Sequence, residues 1–292
     1  MITRFDHAVI AVRDLDEAIG RYQALGFDVR PGGWHVGLGT HNALIRFGLD
    51  YLELLSVADQ AEAAVGGIVI ETLVDFLGKR EGGLLGYALA SSNMEQEVEY
   101  LRHTEFPSEP LAMQRMRADG NLLKWRLLFP GNMPWRGPWP FLIQWETPDA
   151  QRLTWEGLGT HPNDVTGWVG IAIVIRDLER MTDPYKHLLG LSVEPGSVAT
   201  HLNTEQASFQ IGSTRIDLLK PTGAGPVQQM LEEVGEGPFE ITLATKNLDQ
   251  ARKYLTRAGI PLEPYLADPS RAVLPPEYTL GARMVLKEEA MA

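Results

Sequence analysis

Four stretches of the chain repeat one pattern of apolar and polar positions. Each begins with an apolar run that predicts a buried strand, and each continues through a polar turn into apolar residues at helical spacing. The turns carry residues that can cap the following helices, namely Asp14, Asn93, Asp177 and Asn247. Their residue numbers place these caps 79, 84 and 70 positions apart. The spacing predicts four copies of one structural unit.

The positions between the caps predict three further strands in each unit, so that a unit consists of strand, helix, strand, strand and strand. In the first unit the helix is predicted over 15–25, and the late strands are predicted over 43–47 and 51–57. Linking helices are predicted over 68–79 and 227–234, one in each half of the chain.

A polar segment, 147–167, separates the second unit from the third. It contains two prolines and shows no sustained period, so we predict an interdomain linker there. The chain is then expected to form two domains, 1–150 and 168–288, each made of two units. The predicted fold class is α+β, because paired β-α-β-β-β units can join their strands into a curved mixed sheet in each domain.

Composition and charge narrow the class of protein. The chain has 26 basic and 38 acidic residues and a net charge of −12, which disfavours nucleic acid and anionic membranes as partners. It has no cysteine, which excludes disulfides and thiolate metal sites. No apolar run reaches about 18 residues, and no signal-peptide layout precedes the first strand, so a cytoplasmic protein without membrane spans is expected. The sequence is compatible with a homodimer and does not decide the oligomeric state.

Four such units in a cysteine-free chain resemble the vicinal oxygen chelate superfamily, whose fold is that of glyoxalase and dihydroxybiphenyl dioxygenase. The first half is more specific, and it is similar to the glyoxalase-like domain family. The resemblance rests on the motifs DHAV at 6–9, PGGWHVGLGTHNAL at 31–44, YLELL at 51–55 and GPWPFLIQW at 137–145. The second half shares only the generic unit.

The resemblance implies a metal site in the first half. In the superfamily, ligands stand at the start of the first strand and in the middle of the last strand of each unit. These places correspond to His7 and Glu53 in the first unit and to Gln144 in the second, whereas Gly86 fills the remaining place. Imidazole and carboxylate ligands suit a divalent zinc, iron, manganese or nickel ion.

The second half departs from the superfamily pattern. Its corresponding positions are Gly170, Asp217, Glu240 and Met284, with no histidine among them. Extradiol dioxygenases place two histidines and a glutamate in that domain, so the departure argues against dioxygenase activity. We expect the second domain to be structural.

Each proposed ligand also has a structural interpretation. His7 is either a ligand or a hydrogen-bonded core histidine, and Gln144 is either a ligand or a hydrogen-bonded amide. Glu53 lies between Leu52 and Leu54, whose apolar side chains suit packing on the first helix. Glu53 is then expected to face a cavity as ligand or general base, rather than solvent. On this basis His7, Glu53 and Gln144 are predicted to converge.

Candidate substrate-binding residues come from two other regions. The glycine-dense stretch 31–42 is predicted to be a loop, and its His35, His41 and Asn42 are expected to contact substrate. His41 is also a candidate for proton transfer, while surface placement of these residues is the structural alternative. Trp125 and Trp145 are predicted to line an apolar pocket, although core packing is the commoner role of such residues.

The leading functional hypothesis is a glyoxalase-like, metal-dependent enzyme of the lyase or isomerase type that acts on a small oxygenated substrate. His7, Glu53 and Gln144 would hold the metal, and Glu53 and His41 would be catalytic. The alternative is a non-catalytic protein that binds or sequesters a small molecule, as bleomycin-resistance proteins do. The missing fourth ligand favours this alternative.

Overall fold

The computed structural model describes five stretches of the chain, which are 1–117, 120–187, 189–199, 202–265 and 268–290. Within them the strands form two mixed sheets of eight strands each. The predicted fold class is therefore confirmed. None of the helices in the described part of the chain combines the length and the apolar character that a membrane crossing needs.

The first sheet contains two of the predicted units. Their elements are β1 (Ile2–Val12), α1 (Leu15–Ala24), β2 (Val29–His35), β3 (Thr40–Arg46), β4 (Tyr51–Val57), α2 (Gln60–Ala63), α3 (Ile68–Lys79), β5 (Gly82–Ser91), α4 (Met94–Arg102), β6 (Leu111–Met116), β7 (Leu122–Leu128) and β8 (Phe141–Trp145). The strand order across the sheet is β2-β3-β4-β1-β5-β8-β7-β6.

The second sheet repeats this plan. Its elements, with the preceding helix α5, are α5 (Asp149–Glu156), β9 (Val165–Val174), α6 (Leu178–His187), β10 (Val193–Ala199), β11 (Thr204–Ile211), β12 (Thr214–Pro221), α7 (Pro226–Glu233), β13 (Gly237–Thr245), α8 (Leu248–Arg257), β14 (Glu263–Pro264), β15 (Arg271–Leu274) and β16 (Arg283–Glu288). The order β10-β11-β12-β9-β13-β16-β15-β14 matches the first sheet strand for strand.

The four predicted caps each begin a helix. The side chains of Asp14, Asn93, Asp177 and Asn247 accept hydrogen bonds from backbone N–H groups three residues further on, at 2.8–3.2 Å. Each cap thus satisfies one of the N–H groups that a helix start leaves without an intrahelical partner.

One expectation about an irregular segment is wrong. Residues 31–42 are not a long loop, because β2 and β3 pair through most of this stretch and leave only a short turn between them. Gly32 permits this pairing, since a Cβ there would lie 2.0 Å from Oδ1 of Asn42. The predicted linker 147–167 contains helix α5, whose buried residues are Arg152 and Glu156. A helix that buries charged side chains has no apolar stripe for the sequence to reveal.

The two sheets share one hydrophobic core. Phe5 on β1 stacks on Trp168 on β9, with ring centres 4.2 Å apart. Tyr185 on α6 donates a hydrogen bond of 2.7 Å to the carbonyl of Pro138, and its hydroxyl also pairs with that of Tyr87 on β5. One cluster of buried residues spans both halves, and further clusters lie within each half.

We expect Phe5→Ala to lower the free energy of unfolding by about 3–5 kcal/mol, because it removes a buried ring from the contact between the halves. Both halves should still unfold in one transition in urea, followed by circular dichroism and tryptophan fluorescence. Val65→Ala, at an exposed position, is the control and should change stability by no more than about 0.5 kcal/mol. Two separate transitions in the native protein would contradict a shared core.

Candidate functional site

The first sheet curls until its outer strands β2 and β6 approach each other, and this encloses a cavity on its concave face. The cavity occupies about 630 Å³, counting its open mouth. Most of its lining is apolar, with a few polar residues that include His7, His35, Asn42, Glu53 and Arg115. Concave, mainly apolar cavities with a few converging polar groups are typical of small-molecule sites.

Strand alternation decides which residues of β4 reach this cavity. Tyr51, Glu53 and Leu55 line it, whereas Leu52 and Leu54 pack in the core on the opposite face. The predicted orientation of Glu53 is the observed one. The residue is 8% exposed, so its carboxylate lies in the cavity rather than in open solvent.

His7 is held by the buried carboxylate of Asp6. Nδ1 of His7 lies 2.7 Å from Oδ1 of Asp6, and the Asp6 side chain has no exposed surface. Burial by itself would raise the pKa of Asp6, but the charge of Arg4, the hydrogen bond from His7 and the charge of Arg152 together hold that pKa well below its ordinary value. The carboxylate therefore stays charged and fixes Nδ1 as a donor, which leaves Nε2 directed toward Glu53.

Glu53 joins the polar residues of the cavity through both carboxylate oxygens. Its Oε2 lies 3.4 Å from Nε2 of His7, and its Oε1 accepts a hydrogen bond of 2.6 Å from Nδ2 of Asn42. His35 stands behind them, with Nε2 at 3.9 Å from Oε1 of Glu53 and Nδ1 at 2.9 Å from the hydroxyl of Thr40. His7, Asn42, His35 and Glu53 thus form one connected cluster.

Aromatic rings form the rest of the walls. The ring of His7 stacks on Tyr51 at 4.6 Å between centres and meets the edge of Phe141 at 5.3 Å. Trp125 and Trp145 lie side by side at 5.1 Å, and both line the cavity. Nε1 of Trp145 also donates a hydrogen bond of 3.0 Å to Oδ2 of Asp6. The indole and the imidazole are therefore positioned by the same carboxylate.

Gln144 lies outside the cavity, contrary to the predicted convergence with His7 and Glu53. It donates to the carbonyl of Ser92 at 3.0 Å and accepts a hydrogen bond from Arg126. The reason is alternation along β8, where the neighbouring Ile143 and Trp145 face the cavity.

The strand register identifies the true counterpart of Glu53 in the second unit. Glu53 pairs with Val9 on β1. Alignment of the helix caps makes Ala88 the counterpart of Val9, and Ala88 pairs with Phe141 on β8. Phe141, and not Gln144, therefore occupies the matching place, and it brings an aromatic ring instead of a metal ligand.

His41 also lies outside the cavity. It is half-buried on β3, between the inward-facing Thr40 and Asn42, and its ring is 5.4 Å from that of the exposed Trp34. The prediction that it contacts substrate assumed a loop, in which alternation does not apply. In the observed strand, His41 and Asn42 must face opposite sides.

Two residues that contact the walls of the cavity were missed by the sequence analysis. Asp6 stands beside His7 in the DHAV motif, and its place before a candidate histidine was the available signal. Arg152 is fully buried, with its guanidinium 3.7 Å from the ring centre of Trp145 and 3.8 Å from Asp6. It lies in the segment predicted to be a linker, and no sequence pattern pointed to it.

The residues present do not fit the four-ligand metal site of the superfamily. His7 and Glu53 stand in two of its places, but the other two hold Gly86 and Phe141. A Cβ on Gly86 would lie 2.8 Å from Cε3 of Trp135, so no ligand side chain fits there without displacing the indole. Among the described residues, no group of three or more His, Asp or Glu side chains is arranged to hold a metal ion.

In the second sheet, the corresponding carboxylates are engaged in ion pairs. Oδ1 of Asp217 lies 2.7 Å from Nε of Arg215, and Oε2 of Glu240 lies 2.7 Å from Nε of Arg283. Asp217 pairs with Ala172 on β9, as Glu53 pairs with Val9 on β1, so the two positions are equivalent in register.

The paired β-α-β-β-β units and the curved sheets define a protein of the vicinal oxygen chelate superfamily, with the glyoxalase-like fold. A profile of the glyoxalase-like domain matches residues 5–189, and the chain belongs to that family. A search of curated protein sequences finds no significant match.

One solved structure that matches nearly the whole chain agrees with the fold assignment. A hypothetical protein from Staphylococcus aureus has a TM-score of 0.69 at 14% identity, and the match covers 98% of this chain and 99% of that one. A methylmalonyl-CoA epimerase from Mycobacterium tuberculosis matches at 20% identity with a TM-score of 0.41, over 44% of this chain and 91% of its own. A Streptomyces coelicolor methylmalonyl-CoA epimerase in complex with 2-nitronate-propionyl-CoA matches at 24% identity with a TM-score of 0.40, over 44% and 99%.

We expect the protein to lose stability as the pH falls through the range in which His35 takes up a proton. Burial lowers the pKa of His35 below its ordinary value of 6.5, against the opposing charge of Glu53. Between the two pKa values the unfolded chain binds more protons than the folded protein, so the His35 contribution is complete above about pH 6.5 and is lost below it.

Urea unfolding between about pH 5 and 7.5 measures this effect, and NMR titration of the imidazole assigns it. His35→Asn should reduce the dependence of the free energy of unfolding on pH only in part, because burial also lowers the pKa of His41 and His161. His103→Asn, at an exposed position, is the control, and its free energy of unfolding should depend on pH as that of the wild type does. A His35 that titrates at or above 6.5 would contradict the burial argument.

We also expect protein purified without chelators to hold clearly less than one equivalent of zinc, iron, manganese or nickel per chain. The physical reason is the donor set, in which two of the four expected ligand positions are Gly86 and Phe141. Inductively coupled plasma mass spectrometry measures the content. One equivalent that is lost in Glu53→Gln would instead assign a metal to His7 and Glu53.

Proposed function

We propose that this protein is a glyoxalase-like enzyme, of the isomerase or lyase type, that moves a proton at a carbon next to a carbonyl group. The observation that carries the proposal is the 3.4 Å approach of His7 Nε2 to Glu53 Oε2 inside a mainly apolar cavity. An acid and a base that share one water-poor cavity are the groups such a reaction needs.

In this proposal Glu53 is the general base. Its carboxylate takes a proton from the carbon next to the carbonyl, and the electron pair of the broken C–H bond moves to the carbonyl oxygen. The resulting enolate accepts a hydrogen bond from Nε2–H of His7 when both nitrogens of that ring are protonated. Return of the proton to another position completes an isomerisation, whereas loss of a leaving group from the next carbon completes a lyase reaction.

Neighbouring residues orient this pair. Asn42 donates to Oε1 of Glu53, which leaves Oε2 for the substrate. Asp6 fixes the imidazole of His7 through Nδ1, and Tyr51 stacks against the same ring. The aromatic walls exclude water and contact the carbon skeleton of the substrate. No step is assigned to a metal ion, since the donor set does not match the superfamily site.

We further propose that the first domain, 1–150, carries the chemistry and that the second, 168–288, supports it. The ion pairs of Asp217 and Glu240 support this division, because they use the carboxylates that a second site would need. Helix α5 lies outside both ranges and contributes Arg152 to the environment of Asp6.

A small-molecule binding protein is the second candidate function. The neighbouring indoles of Trp125 and Trp145 favour it, since adjacent aromatic walls hold apolar ligands without any chemistry. In that case Glu53 would only contribute to affinity.

The Glu53→Gln variant separates the two candidates. The wild-type protein should incorporate solvent deuterium into one or more members of a panel of small carbonyl compounds, measured by NMR. Loss of the base should reduce this rate by about 10²–10⁴-fold while ligand binding persists.

Glu81→Gln, at an exposed surface pair with Arg13, is the matched control and should keep the native rate. Absence of exchange in the wild type, together with weaker ligand binding by the Glu53→Gln variant, would favour the binding protein.

A further inference from the structure

A second cavity adjoins the first at the end of the sheet where helix α5 packs. It occupies about 620 Å³, counting its open mouth, and its lining includes Arg46, Arg115, Arg117 and Glu156. Leu44 and Arg115 line both cavities, so the two spaces share a wall. The proposed proton transfer uses none of these arginines. We call this space the arginine cavity.

Several guanidinium groups in this region converge on one carboxylate. Oε1 of Glu156 lies 2.6 Å from Nη2 of Arg46, 3.5 Å from Nη2 of Arg115 and 3.4 Å from Nη1 of Arg117. Oε2 lies 3.4 Å from Nη2 of Arg152, which also has Asp6 and Asp149 within 4 Å.

Arg46 and Arg115 carry the excess charge. Within the described ranges, Glu156 is the one carboxylate at ion-pair distance from either of them. Both side chains are about 5% exposed or less. Two buried positive charges opposite one negative charge are costly unless a further anion joins them.

Arg115 is poorly satisfied for a buried arginine. It donates no hydrogen bond to any atom that the structure describes, and its nearest carboxylate oxygen is the one at 3.5 Å. A guanidinium has five N–H donors, so the polar end of Arg115 has capacity for an acceptor in the cavities that it lines. Its alkyl stem lies against Gly33, where β2 and β6 meet, so the polar end is held in the wall between the cavities.

We propose that the arginine cavity binds an oxyanion group, a carboxylate or a phosphate, of the molecule whose carbonyl enters the first cavity. The planar guanidinium fork matches the paired oxygens of either group. The inference rests on the proposed function and narrows its substrates to small carbonyl compounds that carry an acid group.

The separation of the two sites suits one small molecule. The Cζ atom of Arg46 and the ring centre of His7 each lie 4.6 Å from the ring centre of Tyr51. They are therefore separated by no more than twice that distance, on opposite sides of the Tyr51 ring, so a single molecule reaches both by passing over that ring.

Calorimetric titration of the full chain with malonate and with inorganic phosphate, at constant ionic strength, tests the proposal. The wild type should bind at least one of them with a dissociation constant below about 10 mM. Arg115→Gln should weaken that binding at least about tenfold, because it removes a charge-assisted hydrogen-bonding group. Arg102→Gln, at an exposed surface arginine, is the matched control and should bind as the wild type does.

A second variant, Arg115→Lys, keeps the positive charge and should lose less affinity than Arg115→Gln. If Arg115→Gln does not fold, the Arg115→Lys variant takes its place in the titration. Binding of malonate alone assigns a carboxylate, and binding of phosphate alone assigns a phosphate. Absence of binding to the wild type, or equal affinity in the wild type and the Arg115 variants, would overturn the proposal.

The outcome is independent of the deuterium exchange assay. Anion binding without exchange would leave the arginine cavity in place and reject the proton transfer. Exchange that depends on Glu53, without anion binding, would support the proton transfer and reject the arginine cavity as an anion site.

Discussion

The buried carboxylate of Asp6 is the interaction on which the first half of the molecule depends. It contacts His7 at 2.7 Å, Arg4 at 2.8 Å and the indole N–H of Trp145 at 3.0 Å. Removal of a carboxylate from water costs several kcal/mol, and these partners offset that cost. Loss of any one of them would leave a buried charge less compensated, so the position of the imidazole and the position of the wall on β8 are fixed together.

Arg152 extends this dependence to helix α5. Its guanidinium lies over the ring of Trp145 at 3.7 Å and within 4 Å of both Asp6 and Glu156. One buried arginine therefore links the carboxylate behind the first cavity to the carboxylate in the arginine cavity. Such a helix is held by charge and aromatic contacts rather than by an apolar face, which explains why hydrophobic periodicity did not reveal it.

The parts of the site that follow from local rules could be predicted from the sequence. The helix caps at Asp14 and Asn247 are local hydrogen bonds, and the inward orientation of Glu53 follows from its apolar neighbours on a strand. Gln144 and His41 were misplaced because their orientation depends on long-range register and on the pairing of β2 with β3. A shift of one residue moves a side chain to the other face, and the sequence alone does not set that register.

The duplicated sheets place one carboxylate position in two different surroundings. Glu53 and Asp217 occupy equivalent places, yet the first faces an imidazole in a cavity and the second is bonded to Arg215. At the place of His7 the second half has Gly170, where a Cβ would lie 2.6 Å from the carbonyl oxygen of Arg215. Close strand approach therefore leaves no room for a side chain there, and the imidazole that lies against the Glu53 carboxylate has no counterpart. The fold fixes where functional groups can stand, but the side chains at those places decide whether a site exists.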